Sequence, residues 1–101
     1  MAKFTLTRDN LADLQFEGDL VATVSSETAG KTRWTELRVY KTDGGRYICE
    51  ELGRSKVDGE RDFHHVTVVD NEKSIPSVFG GGWLSKLLYG KMQLQYTELV
   101  G

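Results

Sequence analysis

Hydrophobic and polar residues alternate along the first part of the chain, as they do in β-strands that bury one face. Phe4 and Leu6 lie between polar neighbours, which predicts a first strand that ends at the turn-prone pair Asp9-Asn10. Apolar residues then fall on even positions between residues 11 and 26, with Gly18-Asp19 between two groups of them. This spacing predicts a hairpin over residues 11–26 whose tight connection is Gly18-Asp19.

The strongest local marker is in the middle of the chain, where two alternating runs flank Asp43-Gly44. An Asp-Gly pair tolerates the positive φ angles of a two-residue type I′ turn. With that loop, Val39 faces Ile48 and Tyr40 faces Tyr47, which are favourable cross-strand pairs. Sliding the loop by one residue would pair Tyr40 with a cysteine, so the first register is preferred.

The chain beyond this central hairpin predicts a loop and two further strands. Residues 53–60 combine glycines with charged side chains and contain no aromatic residue, so we expect an exposed loop. The β-branched run at residues 63–70 predicts a strand that ends at Asp70-Asn71. Alternation over Met92–Thr97 predicts a closing strand with one apolar and one polar face.

Two short helical segments are predicted between those last strands. Ser74 can cap a helical turn that has Pro76 near its start, where a missing N–H costs nothing, and Gly80–Gly82 ends that turn. Apolar residues at helical spacing over Trp83–Tyr89 predict a second helix, which Gly90 ends as the residue after the C-cap. We expect the three glycines to act as a hinge that lets the tryptophan pack into the sheet.

These elements predict one small α+β domain over residues 1–101, a length too short for two independent cores. Residues that suit a sheet (Val, Ile, Thr, Phe, Tyr and Trp) number 30, whereas Ala, the best helix former, numbers four. We therefore expect an antiparallel β-sheet of about five to seven strands, with one short helix from the C-terminal region packed on one face. A strongly curled, partly closed barrel is the alternative.

Composition and charge exclude several classes of protein. A hydrophobic share of 39% is too high for a disordered tail. Thirteen Lys and Arg against fifteen Asp and Glu give a net charge of −2, which disfavours a general electrostatic grip on nucleic acid. No apolar stretch has the length of a secretory signal or of a membrane span, and the single Cys49 suits a reducing compartment. We expect a cytoplasmic protein without membrane association.

No catalytic, metal or cofactor site emerges from the residue types. Cys49 or a serine would need His64 or His65 as its base, and adjacent strand residues point to opposite faces of a sheet. The same geometry separates Glu50 from Glu51, and we expect that pair at a solvated edge. One cysteine and two histidines fill a four-ligand zinc site only with added carboxylates, which is uncommon. We therefore expect no enzyme and no cofactor.

The central hairpin carries the positive charge of the chain. Residues 31–61 hold eight basic and six acidic side chains, whereas residues 1–30 hold two and five. Aromatic and arginine side chains fall on one face of the hairpin, a composition found at protein interfaces and on surfaces that stack single-stranded bases. The candidate binding residues are Trp34, Arg38, Tyr40, Arg46 and Tyr47. The residues expected in the core on the other face are Leu37, Val39, Ile48 and Leu52.

Four short runs carry a resemblance to a known family. They are FEGDLVA at residues 16–22, ELRVYKT at 36–42, GRY at 45–47 and VVD at 68–70. In these runs the chain resembles the EXLDI-type small bacterial proteins, over about residues 16–70. The resemblance implies a prokaryotic protein from a plasmid or phage, and it brings no catalytic role.

Two function hypotheses agree with these features. The first is a non-enzymatic protein-binding module that occludes a surface of a larger protein partner. By analogy of size and charge it would be a phage or mobile-element inhibitor of a host defence complex, as anti-CRISPR proteins are, with its acidic N-terminal third facing a nucleic-acid channel. The alternative is a single-stranded nucleic-acid-binding domain that uses the aromatic and arginine face. An edge position of the last strand would let two copies pair, so both monomer and homodimer stay open.

Overall fold

The computed structural model describes residues 2–96 and residue 100, and five antiparallel strands make up the largest regular part of them. Each strand pairs with the next one along the chain, so the sheet order is β1-β2-β3-β4-β5. An antiparallel sheet that carries helices fits the predicted α+β class, and its five strands lie at the lower end of the expected range. The strands are β1 (Ala2–Leu6), β2 (Leu14–Ser25), β3 (Arg33–Thr42), β4 (Tyr47–Ser55) and β5 (Phe63–Val69).

Two helices follow the sheet where the sequence predicts one helical turn and one helix. A 3₁₀ turn at Glu72–Ser74 leads into α1 (Ile75–Phe79), and α2 (Trp83–Met92) follows the three glycines. The predicted end of α2 at Gly90 is wrong, because the helix runs through Gly90 to Met92, and Gln93 is its C-cap in the left-handed conformation. Among the described residues, no helix has the length and apolar character needed to cross a bilayer.

The predicted closing strand over Met92–Thr97 is also corrected. Met92 belongs to the last turn of α2, and residues 93–96 form neither helix nor strand. Thr97 lies outside the described residues. The backbone N–H of Leu94 donates to the carbonyl of Tyr89 at 2.8 Å, so the chain leaves the helix through a tight turn. The strand edge that was expected to pair two copies is therefore not formed over residues 92–96.

The predicted hairpin over residues 11–26 is wrong, because β2 is one continuous strand. Gly18 lies in its interior, where β2 stops pairing with β1 and starts pairing with β3. A Cβ atom at this position would lie 2.1 Å from the carbonyl oxygen of Lys41, so glycine is needed for the close approach of the two strands. A bulge between Leu20 and Ala22 then moves the even-numbered residues of β2 to the other face of the sheet.

The central hairpin forms as β3 and β4, but its register differs from the predicted one. Tyr40 faces Ile48 and Val39 faces Cys49, whereas the prediction paired Val39 with Ile48 and Tyr40 with Tyr47. The loop has three residues rather than two and ends in Gly45, whose φ angle of 85° is typical of a type I turn followed by a left-handed residue. A shift of one residue turns every side chain of β4 to the opposite face, so Tyr47 is separated from Tyr40.

One face of the sheet, called here the helix face, is covered by α1 and α2. The helices fill it with aliphatic and aromatic side chains that interdigitate with those of β2, β3 and β4. Its buried residues are Ala22, Val24, Leu37, Val39, Tyr47, Cys49, Ile75, Leu84, Leu88 and Tyr89. Leu37 and Val39 are in this core as expected, but Ile48 and Leu52 are buried on the opposite face.

That opposite face, the inner face, is covered around Tyr40 and Ile48, because the β1–β2 pair curls over this part of it. The rings of Phe4 and Phe16 lie with their centroids 4.8 and 5.3 Å from the ring of Tyr40. Beyond β1, the backbone N–H of Asp9 donates to the carbonyl of His64 on β5, and the Asp9 carboxylate accepts the backbone N–H of His64 at 3.0 Å. The sheet thus takes on part of the curl of the barrel alternative, with β1 and β5 linked at one end.

Candidate interaction site

A buried carboxylate is the centre of the polar structure on the inner face. Glu50 is only 3% exposed, although the sequence placed it at a solvated edge. The Tyr40 hydroxyl donates a 3.0 Å hydrogen bond to Glu50 Oε1, and Arg38 Nη1 lies 3.7 Å from the same oxygen. These partners stabilise a charge that would be costly to bury alone.

The hydrogen bonds continue from Arg38 along the hairpin. Arg38 Nη2 donates to Glu36 Oε1 at 2.9 Å, and the indole N–H of Trp34 donates to Glu36 Oε2 at 2.9 Å. Arg54 Nε lies 3.6 Å from that second oxygen, and Arg54 Nη1 donates to Asp62 Oδ2 at 3.0 Å. We call this set the inner-face network. It consists of Trp34, Glu36, Arg38, Tyr40, Glu50, Arg54 and Asp62.

The ionisation of two groups reflects this arrangement. Burial, and next the charge of Glu50, raise the pKa of the Tyr40 phenol to about 12, so the hydroxyl remains a donor at neutral pH. A hydrogen bond from the Ser55 backbone, and then the Arg54 guanidinium, hold the pKa of Asp62 below its usual value. Each cation of the network faces carboxylates, so the network offers little free positive charge to a phosphate.

The structure does not bring the five candidate binding residues together. Trp34, Arg38 and Tyr40 lie on the inner face, but Tyr40 is 3% exposed and cannot offer its ring to a ligand. Tyr47 is buried on the helix face, and its hydroxyl donates to Glu72 at 3.3 Å. Arg46 lies exposed at the end of the hairpin, where its guanidinium donates to Asp70 at 3.1 Å. The assumption that these residues share one surface is wrong, because it depended on the two-residue loop.

A cavity beside the start of α2 is the second feature, and the sequence did not predict it. Trp83 was expected to pack into the sheet, yet it is 67% exposed, and Leu87, one turn further along α2, is 48% exposed. Next to Trp83 lies a cavity of about 250 Å³ between α2 and the helix face. We call it the α2 cavity. Its lining residues are Ser26, Thr35, Leu37, Glu51, Phe79, Gly82, Trp83, Leu84 and Ser85.

Some polar groups of the α2 cavity have hydrogen-bond partners within the described part of the protein, whereas the carboxylate of Glu51 has none. The hydroxyl of Ser26 accepts the backbone N–H of Thr35, and the hydroxyl of Ser85 donates to the carbonyl of Phe79. Among the described residues of the lining, Glu51 alone is charged. Over residues 2–96 and 100, no hydrogen bond or ion pair engages its carboxylate. The cavity therefore has an aromatic rim, walls of mixed apolar and hydroxyl-bearing side chains, and one carboxylate that no described group engages.

A second, more open depression has the opposite character. It measures about 490 Å³ and lies at the far end of β3 and β4, where Arg33 donates to Glu60 at 2.8 Å. Basic and aromatic side chains contribute to it, and we call it the basic groove. Those side chains are Lys31, Arg33, Trp34, Arg54, Arg61 and Phe63.

Two further groups carry chemistry but lie away from these surfaces. Cys49 is buried under the helices, and its burial raises the pKa of the thiol to about 12. His65 is exposed on β5, while the backbone of its neighbour His64 bonds Asp9. Within the part of the chain that the structure describes, no three His, Cys, Asp or Glu side chains are placed to hold a metal ion.

The fold and the two surfaces define a curled antiparallel meander with helices on one face. Comparison with protein-family models, curated proteins and solved structures finds no match for the chain. The resemblance to the EXLDI-type proteins stays a prediction.

Proposed function

We propose that this protein is a non-enzymatic binding module that docks on a larger protein through the surface around Trp83. The observation that carries the proposal is the exposure of Trp83 at the rim of the α2 cavity, with Leu87 exposed beside it. Residues four apart on a helix are neighbours on its surface, so the two side chains form one apolar patch. Tryptophan at the edge of a pocket is enriched among the residues that dominate protein interfaces.

The inner face supports this choice by contrast. Its aromatic ring at Tyr40 is buried, and the guanidinium of Arg38 is engaged by Glu36 and Glu50. A partner would have to break these interactions before it gained any of its own, which costs affinity. The α2 surface requires no such rearrangement.

The wider role remains the occlusion of a partner surface, as an inhibitor of a host defence complex from a phage or mobile element would act. The support for this role is analogy of size and charge. We place the protein in the cytoplasm, because its only cysteine, Cys49, is buried and unpaired as suits a reducing compartment.

Single-stranded nucleic-acid binding is the second candidate, and the basic groove is the observation that favours it. Arg61 and Phe63 line this groove, and Lys56 Nζ lies 5.3 Å from the ring centre of Trp34 near it. In this mode a nucleic-acid base would stack on the ring of Phe63, and the backbone phosphates would contact the surrounding basic side chains. Tyr47, which the hairpin pattern offered for stacking, is buried on the other side of the sheet.

Affinity capture from a bacterial lysate, with and without nuclease, tests the proposal. The tagged protein is compared with Trp83→Ala and with Phe63→Ala, which removes an exposed aromatic ring at the basic groove instead. We expect the tagged protein to capture a partner protein in stoichiometric amount, and this partner should stay bound after nuclease treatment. Trp83→Ala should bind the partner about thirtyfold more weakly, whereas Phe63→Ala should still bind it. If nuclease treatment abolishes the captured material, or if only Phe63→Ala fails to capture it, nucleic-acid binding is favoured.

A further inference from the structure

The size of the α2 cavity limits what it can hold. Drug-sized ligands and cofactors occupy pockets of roughly 300–1,000 Å³. At about 250 Å³ the α2 cavity is smaller than this range, and it opens directly beside an exposed tryptophan. A single side chain inserted from a docked partner suits this size better than a cofactor does.

The charge of the cavity indicates which kind of side chain from a partner would fit there. Glu51 projects from β4 on the helix face, with Leu37 as its cross-strand neighbour on β3 and the exposed His65 on β5. It is partly buried, and within the described part of the chain it supplies the only charge in the lining of the cavity. A partly buried carboxylate gains most from a cationic partner that also donates hydrogen bonds.

The aromatic rim narrows the choice further. A guanidinium group is planar and weakly hydrated, so it can stack on an indole ring while its N–H groups bond a carboxylate. Trp83 at the rim and Glu51 in the lining provide these two elements in one cavity. The first turn of α2 also borders the cavity. Gly82 at the N-cap has no side chain that could accept hydrogen bonds from the backbone N–H groups of this turn. Those groups can donate to a carbonyl of the segment that carries the cation.

We propose that the α2 cavity accepts an arginine side chain of the protein partner, stacked on Trp83 and paired with Glu51. This inference rests on the proposed function, and it specifies the chemistry that the partner must present. A partner surface with an arginine near its centre would be recognised, and an acidic surface would be repelled by Glu51.

A titration with a small probe tests the cavity without the partner. N-acetyl-L-arginine amide is added to the ¹⁵N-labelled protein, and the indole N–H of Trp83 and the backbone amide of Glu51 are followed by NMR. N-acetyl-L-citrulline amide, which has the same length and no charge, is the matched ligand. Glu51→Gln is compared with Glu17→Gln, which makes the same charge change at an exposed position on β2.

We expect saturable shifts with the arginine amide, and binding about tenfold weaker both for the citrulline amide and for Glu51→Gln. Glu17→Gln should bind like the parent protein. Absence of saturable shifts, or equal shifts with the two ligands, would overturn the proposal even if a substituted protein failed to fold. If arginine binds but no protein is captured from lysate, the proposed function fails and the cavity assignment survives. If a protein is captured but the titration shows no binding of the arginine amide, the proposed function survives and the assignment of the cavity fails.

Discussion

Replacing Arg38 with methionine would leave the carboxylate of Glu50 buried without its cation. Methionine keeps much of the apolar stem of arginine, so the substitution removes mainly the guanidinium group. Glu50 would retain the hydrogen bond from the Tyr40 hydroxyl, and Glu36 would retain the indole N–H of Trp34. The loss is therefore concentrated on one charge that solvent barely reaches.

The size of the effect follows from how deeply each partner is buried. The side chain of Glu50 is 4% exposed and that of Arg38 is 30% exposed. Breaking a fully buried ion pair costs about 3–5 kcal/mol, and breaking an exposed one costs about 0–1 kcal/mol. Because Arg38 lies between these limits, we expect Arg38→Met to lower the free energy of unfolding by about 2 kcal/mol. For a domain of this size that corresponds to a decrease in Tm of about 10 °C.

Urea unfolding of three variants measures this effect. Arg46→Met is the matched control, since Arg46 also forms an ion pair but both its side chain and that of Asp70 are exposed. Its free energy of unfolding should stay within about 0.5 kcal/mol of the parent value. Adding Glu50→Gln to Arg38→Met should recover about 1 kcal/mol, because no charge is then left buried. If Arg38→Met cost no more stability than Arg46→Met, or if the double variant were less stable than Arg38→Met alone, Arg38 would not be stabilising a buried charge on Glu50.

Three other predictions concern buried groups and backbone contacts. In an alkaline spectrophotometric titration one tyrosine should ionise last, near pH 12, and Tyr40→Phe should abolish that step. Because the folded protein holds this proton while the unfolded chain releases it near pH 10, stability should fall as the pH rises from 10 to 12, and less so in Tyr40→Phe. Cys49 should not react with iodoacetamide at pH 8 in the native protein and should react fully in urea; reaction at an equal rate in both would contradict its burial. Gly18→Ala should lower the free energy of unfolding by about 1–3 kcal/mol through the clash with Lys41, whereas Gly44→Ala, with no atom nearer than 3.8 Å, should change it much less in the same assay.

Local pattern was enough to predict several elements. Alternation located β1, β3 and β4, and the β-branched run located β5. Pro76 indicated the position of α1, although the side chain of Ser74 makes none of the expected capping hydrogen bonds. These elements depend on side chains close together in the sequence, which is the information that a pattern contains. The helix-covered antiparallel sheet followed from their order.

The register and the faces could not be obtained in the same way. The bulge after Leu20 and the third loop residue, Gly45, each displace the pairing by one position. Each displacement moves side chains to the other face of the sheet. Tyr47 therefore lies on the helix face, whereas Tyr40 lies on the inner face. Local sequence allows more than one loop length, and packing against the helices selects between them.

The candidate sites were hidden for related reasons. The inner-face network joins residues from two strands and the loop beyond Ser55, so it becomes visible only when the register is known. Trp83 looked like a core residue because its helical spacing matches that of Leu84 and Leu88, which are buried. Its exposure depends on how α2 is rotated on the sheet, and no local pattern in the sequence indicates that rotation.

Photochemical cross-linking from two equally exposed positions shows whether a protein partner docks on the α2 surface or at the basic groove. The photoreactive residue p-benzoylphenylalanine is placed either at Leu87, beside Trp83, or at Phe63 in the basic groove; both side chains are 48% exposed. After irradiation in a nuclease-treated bacterial lysate, docking through the α2 surface predicts a discrete protein adduct from position 87 and none from position 63. No adduct from position 87, or a protein adduct from position 63 alone, would contradict it.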